Sequence, residues 1–311
     1  MVTGTTAAPL GGPKMNVVAL EQERVHDFVA YCQKHRMELD DSYLYDFELR
    51  DFQVSEEAPT YILTNQQGDI IGAVSLVMDE YHKRGKRARF RIFHSEINDI
   101  QCYQQLLQAV LKHTTDLDKV FLFIPVTNRL LIEIIEGLKF TLERYAFLLV
   151  REDLNVPELK LPEGYELRSF QRGQDEGNWS KVRNAAFATL KGSETPITTE
   201  GVTKLLNDDD YLEGGMILLF HQGKPVGVIR GADDEYENDP IMNIGPVAVI
   251  PEYQGKGIGR ILLRAALQFA KEKGYKRTIL SVNGENERAQ ALYIQEGFKQ
   301  VEAVVCYQYF L

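Results

Sequence analysis

Apolar positions along the chain alternate between strand-like and helical rhythms, and the same order of elements is predicted twice, once on either side of a proline-bearing stretch. In the second half, "DEGNWSKVRNAAFA" and "TTEGVTKLLND" have helical spacing, with Thr198 or Thr199 ahead of Glu200 as the N-cap. Strands "GGMILLFHQ" and "KPVGVIRGA" follow, joined by the turn "QGK", and "IMNIGPVAV" comes after the polar loop "DDEYENDP". Beyond "QGKGIGR", the positions Ile261, Leu262, Ala265, Ala266, Phe269 and Ala270 trace one helical face that Gly274 ends. Strand "RTILSV", helix "ERAQALYIQEG" and strand "AVVCYQYFL" complete a mixed α/β sheet flanked by helices.

The first half predicts helix "EQERVHDFVAYCQKH", strands "TYILTN", "DIIGAVSLV" and "ARFRIFHS", helix "YQQLLQAVLKH", strand "KVFLFIP", helix "RLLIEIIEG" and strand "ERYAFLLV". Local echoes point to duplication: "IIGAVSLVMDEY" (70–81) aligns with "PVGVIRGADDEY" (225–236), and "EGLK" answers "EGFK". Pro157 and Pro162 mark a linker. The reading is therefore a leader over 1–15, one domain over 16–152, a linker over 153–163 and a second domain over 164–311. The leader "MVTGTTAAPLGGPKM" reads as a disordered tail or an expression remnant.

Composition narrows the function classes. Forty-five acidic against 35 basic residues, a formal charge of -10, repel a phosphate backbone and argue against nucleic-acid binding. The basic run "HKRGKRARFR" (82–91) reads as a solvated hairpin with its flanking strand. Cys32, Cys102 and Cys306 are odd in number and widely spaced, which fits a reducing compartment without a disulfide frame. The histidines show no metal-ligand spacing, so no metal is expected. No apolar run suits a bilayer span or a secretion signal, and a cytoplasmic location is expected.

The stretch Gln254 to Arg260, "QGKGIGR", opens the helix after the strand "GPVAV". Loop glycines bring backbone N–H groups close to an anion and a helix N-terminus adds its dipole, so the loop reads as a diphosphate cradle or else as a tight turn. The spacing lacks the Lys-Ser/Thr of a nucleotide-binding P-loop, and Arg260 stands where a dinucleotide fingerprint needs its third glycine.

Gln254, Gly257 and Gly259 fill the fixed positions of Q/R-x-x-G-x-G/A, and "NERAQALYIQEGF" matches N-x-x-A-x-x-L-Y-x-x-x-G-F. On these two motifs the second half resembles the GNAT superfamily of N-acyltransferases, and the whole chain resembles tandem GNAT proteins. The resemblance implies acetyl-CoA as acyl donor, its pyrophosphate on the amides of Gln254, Gly255, Lys256, Gly257, Ile258 and Gly259, and its pantetheine arm along Val247, Ala248 and Val249. It implies that Tyr293 is the general acid to the departing thiolate, that Lys256 and Arg260 neutralise CoA phosphates, and that Asn286 either contacts pantetheine or caps its helix. In the first half, "HSEINDIQCYQQLL" has no glycine and carries acids where the loop belongs, and Glu133 stands in the place of the tyrosine. That half reads as a degenerate GNAT-like copy that has lost CoA.

The general base is not evident. "IMNIGPVAV" carries no acid, only Asn243, which leaves Glu235 and Glu237 in "DDEYENDP", or loss of the amine proton to solvent. The expected activity is acetyl transfer from acetyl-CoA to a small or peptide amine by direct attack in a ternary complex, with the first domain shaping the acceptor side. The alternative is a CoA-binding sensor or scaffold without turnover. Either is expected as a monomer or homodimer, with no nucleic-acid or membrane partner.

Overall fold

The computed structural model describes residues 15–311, so the leader lies outside the described residues except for Met15. The chain divides into two compact units. One contains residues up to Asp79, Lys86–Leu142 and Tyr307–Leu311, and the other Glu80–Gly85 and Glu143–Cys306.

In chain order the elements of the first half are β1 (Asn16–Ala19), α1 (Val25–His35), α2 (Asp46–Arg50), β2 (Thr60–Thr64), β3 (Ile70–Val77), α3 (Glu80–Arg84), β4 (Arg87–Ser95), α4 (Ile100–Val110), β5 (Lys119–Pro125) and α5 (Arg129–Gly137). Within the first unit the strand order is β1-β2-β3-β4-β5, antiparallel except for the parallel pair β4/β5. Phe28 and Cys32 of α1 pack with Leu44, Ile62, Ala73 and Ile92 in its core.

The basic run departs from its expected solvated hairpin. Residues 82–84 end the short helix α3, and Arg87 is buried at the start of β4. Arg89 lies over the rings of Tyr43 and Phe123 and pairs with Asp40 at 2.5 Å, and Arg91 lies over Tyr43 and Phe52. Guanidinium planes stack on aromatic faces while keeping their charge satisfied, so a run of arginines can line a strand's inner face.

The second half continues with β6 (Thr141–Arg151), β7 (Tyr165–Ser169), α6 (Glu176–Phe187), α7 (Thr199–Leu205), β8 (Tyr211–His221), β9 (Lys224–Tyr236), β10 (Asp239–Val249), α8 (Ile258–Glu272), β11 (Thr278–Asn283), α9 (Glu287–Gln295) and β12 (Lys299–Phe310). The meander β7-β8-β9-β10 is antiparallel, β10/β11 is parallel, and β6 closes that side antiparallel to β11. Residues 143–151, which the proline linker alone assigns to the first half, thus sit in the second unit's sheet, and Tyr307–Leu311 count with the first. Backbone ladder bonds to β11 decide that placement, and linker composition carries no signal of it.

Trp179 and Val182 of α6 and Leu262, Leu263 and Ala266 of α8 are buried with the sheet residues Leu218, Val228 and Ile244. Gly227 lets Leu262 reach the strand: a Cβ there would lie 2.8 Å from Leu262 Cδ1. Thr198 caps α7, accepting from the Gly201 N–H at 3.0 Å. The predicted loop "DDEYENDP" is mostly strand, since β9 runs to Tyr236 and β10 begins at Asp239. Only Glu237 and Asn238, at φ 56° and 62°, form the turn, a backbone state that suits a two-residue hairpin.

Candidate active site

The glycine loop sits where the end of β10 gives way to α8. Gly255 and Gly257 have φ of 76° and 81°, in the left-handed region that a Cβ disfavours. Gln254 folds back so that its Nε2 donates to the Val249 carbonyl at 2.9 Å, tying the loop to the strand. The backbone N–H groups of Gly255, Lys256, Gly257, Ile258 and Gly259 donate to no group among the described residues. They form a row of free donors at the N-terminus of a fifteen-residue helix, the arrangement that holds a diphosphate.

The strand before the loop is released on one side. β10 pairs with β11 only at Met242–Thr278 and Asn243–Ile279, while its pairing with β9 continues to Val249 after a bulge between Ile244 and Val247. From Gly245 to Val249 the two parallel strands therefore diverge. A bulge re-aims a strand locally, and here it leaves the β11 side of Val247, Ala248 and Val249 to pair with an extended ligand.

Tyr293 lies on α9 with its ring 7% exposed, edge-on to Phe298 at 6.1 Å between centroids. Burial pushes its phenol up to about 12. Its hydroxyl makes no hydrogen bond among the described residues. The hydroxyl oxygen is not among the sealed, unsatisfied polar atoms of the described residues, so the ring is buried while the O–H is left open to a ligand or water. Asn286 caps α9, accepting from the Ala289 N–H at 3.2 Å, so the capping role is the one its side chain plays here.

The two cations of the loop differ. Lys256 is exposed, with Nζ 5.1 Å from the centroid of Tyr253. Arg260, expected at a phosphate, instead donates to Glu296 and to Gln295. A cation that sequence reading passed over is better placed: Arg288, in the first turn of α9, lies over Gly255 so closely that a Cβ there would be 2.9 Å from Nη2. The only signal for it was its position two residues after Asn286.

The acids sort differently from the sequence reading. Glu235 is exposed beside the hairpin turn, and Glu237 is in the turn, 68% exposed and 3.4 Å from Arg277. Glu235 pairs with Pro240, five positions from Gly245, which at strand rise is roughly 17 Å along β10. Asp233 and Asp234 pair with Met242 and Ile241, nearer the bulge than Glu235, and of the two it is Asp234 whose side chain reaches toward the bulge along β10. It accepts from Asn243 Nδ2 at 2.8 Å and shares with it the sheet face opposite Gly227 and α8, by strand alternation. Burial raises the Asp234 carboxyl above its usual range, and Asp210 and Asp233 add to that against the hydrogen bond from Asn243. Asp234 stood unremarked inside "DDEY" because a strand could not be told there from a polar loop.

The first unit lacks this constellation. Its β4 and β5 diverge in the same way beyond Arg89–Phe121. However, Asp99 caps α4 and its own Oδ1 accepts from the Gln101 N–H at 2.9 Å, so an internal carboxylate occupies the place of an external anion. Glu133, in the tyrosine's position, is exposed.

Residues 183–298 match the Acetyltransferase (GNAT) family. A mycothiol acetyltransferase of Kytococcus sedentarius is 30% identical over 152 residues, 49% of this chain and 51% of that protein. The chain spans about half the length of the curated relatives it matches. Among solved structures, a GCN5-related N-acetyltransferase from Sphaerobacter thermophilus aligns over 95% of both chains with a TM-score of 0.70 at 16% identity. A tandem GNAT protein from the clavulanic acid biosynthesis pathway aligns over 96% of this chain and 98% of its own, with a TM-score of 0.67 at 13% identity. At such identities the two structures speak for the fold alone. Among the described residues no helix is long and apolar enough to cross a membrane.

Proposed function

We propose, from the premise that the chain belongs to the GNAT family through residues 183–298, that its second unit transfers an acetyl group from acetyl-CoA to a primary amine. The observation that carries this is the coincidence of three free groups among the described residues: the unpaired amides of Gly255–Gly259, the released side of β10 at Val247–Val249, and the hydroxyl of the buried Tyr293 ring, which no protein group takes up. A diphosphate, an amide-bearing arm and a sulfur are what those three would meet, and acetyl-CoA supplies them together with an acyl group activated toward amines. Lys256 and Arg288 add positive charge at the loop.

On the protein's side, the amides of Val247–Val249 orient and polarise the acyl carbonyl. Tyr293 provides the proton for the departing sulfur. Burial disfavours a phenolate and a thiolate alike, so a site that raises the Tyr293 hydroxyl also raises a thiol beside it, and the two stay matched for transfer. Asn243 donates to Asp234 and so has its carbonyl oxygen left to accept from an incoming ammonium. Asp234, made more basic by burial, takes the amine proton, directly or through a water. Asp208, whose carboxyl burial raises, adds acidity near Asp234, while Asp210 is already paired with Arg230 at 2.6 Å.

Thiol release from acetyl-CoA in the presence of a panel of amines tests this reading. Because the curated relatives carry the name mycothiol acetyltransferase, the amine form of mycothiol heads the panel. Release that depends on the amine is the expected result. CoA binding with no release on any amine is the sensor reading instead.

A further inference from the structure

We propose that the first unit holds a divalent cation of the zinc class between His35, Glu38 and His94. His35 ends α1, Glu38 lies in the turn that follows, and His94 lies near the end of β4, so 56 residues of chain separate the last two. The ligating atoms of the three residues all lie within 4.8 Å of one another. His35 Nδ1 is 3.0 Å from Glu38 Oε1, and His94 Nε2 is 3.6 Å from Glu38 Oε2. Ligands 2.1 Å from a tetrahedral zinc are about 3.4 Å apart, between those two separations.

The charge arrangement asks for a cation. His35 is 6% exposed and meets a carboxylate oxygen at both nitrogens, with Nε2 3.0 Å from Glu96 Oε1. A neutral imidazole has one N–H to give, so one of its nitrogens would face an acceptor lone pair to lone pair. Protonating the ring would satisfy His35 but set an imidazolium against the His94 ring stacked on it at 4.3 Å between centroids, which faces the same Glu38 at 3.6 Å, longer than a hydrogen bond. One dication at Nδ1 of His35 and Nε2 of His94 satisfies both rings and the shared carboxylate.

The outer contacts are those that ligating histidines need. The remaining nitrogen of His35 meets Glu96, itself held by Lys34 at 2.6 Å, and the remaining nitrogen of His94 meets the Tyr31 hydroxyl at 2.7 Å. The backbone of Glu38 is anchored as well, its carbonyl accepting from Asn128 Nδ2 at 3.0 Å. Because the Glu38 side chain is 57% exposed, the fourth position opens to solvent and takes water or a small anionic ligand.

The full-length protein, stripped with a chelator and dialysed, is titrated with zinc chloride against a chromogenic chelator. The site predicts one zinc per chain, and with cobalt(II) the strong visible bands of a four-coordinate N/O site. Glu38→Gln, at an exposed side chain, and His94→Asn each weaken zinc by more than tenfold, and Glu96→Gln, which only orients His35, weakens it by about 10–100-fold. Circular dichroism of the stripped Glu38→Gln protein matches the wild type. Absence of saturable zinc binding overturns the proposal and leaves a proton-held network. Binding that survives both Glu38→Gln and His94→Asn overturns it too, by placing the ion elsewhere.

Discussion

Arg264 donates from Nε to the buried carboxylate of Glu296 at 2.9 Å, and Arg260, one turn earlier on α8, donates to the same group. The helix that begins with the glycine loop is thereby clamped to the end of the helix that carries Tyr293. On the proposed reading, that clamp fixes the distance between the loop that would hold a diphosphate and the tyrosine that would supply a proton.

Removing that clamp has a measurable cost. Burial alone would raise the Glu296 carboxyl, but the hydrogen bonds from Arg264 and Arg260 outweigh it and hold it below the usual carboxylate range. Glu296→Gln is expected to lower unfolding stability by about 2 kcal/mol at pH 7, below the roughly 3–5 kcal/mol of a fully buried broken pair because both arginines keep some solvent. A carboxyl depressed in the folded state contributes stability above its unfolded value and loses it as pH falls through the folded one. Urea unfolding of both proteins should therefore show the difference intact above about pH 5 and closing under more acid conditions.

Gly257 separates backbone conformation from steric fit. A Cβ there would meet nothing within 4 Å, yet its φ of 81° is one that side chains avoid. Gly257→Val is expected to weaken CoA binding by about tenfold or more through the strained loop, and Gly257→Asn by much less, since asparagine tolerates the left-handed region. Calorimetric titration with CoA distinguishes the two. Equal losses would mean that the loop conformation does not matter.

Asp234 is expected to act in amine deprotonation. Asp234→Asn should lower kcat by about 100-fold at pH 7, with the deficit shrinking as pH approaches the acceptor's own pKa and free amine is supplied by solvent. Glu235→Gln and Glu237→Gln, at the exposed end of the hairpin, should stay within about twofold of wild type. A pH–rate profile for each variant checks both statements.

Much of the second unit was legible in the sequence because its signals are local. The alternation of β8, β9 and β10, the face of α8 and the caps Thr198 and Asn286 depend on near neighbours along the chain. The conformation of the glycine loop was legible for the same reason, since glycine spacing encodes backbone conformation directly. What escaped was long-range pairing. Arg260 and Glu296 are 36 residues apart and Asp234 and Asn243 meet only through β-sheet register. His35 and His94 come together only because α1 lies beside β4, and β6 joins β11 through ladder bonds that no composition signals. The arginines of β4 misled for another reason: charge alone suggested solvent, and the aromatic faces that bury them lie elsewhere in the sequence.

Tyr293→Phe tests the central claim most directly, because the hydroxyl it removes has no partner among the described residues and its loss should leave stability nearly unchanged. Steady-state acetyl transfer to the best amine in the panel, measured beside the equilibrium affinity for acetyl-CoA, should show kcat reduced by about 100-fold or more with the affinity held within about threefold. A kcat within twofold of wild type, at undiminished CoA affinity, would contradict the assignment of Tyr293 as the proton donor.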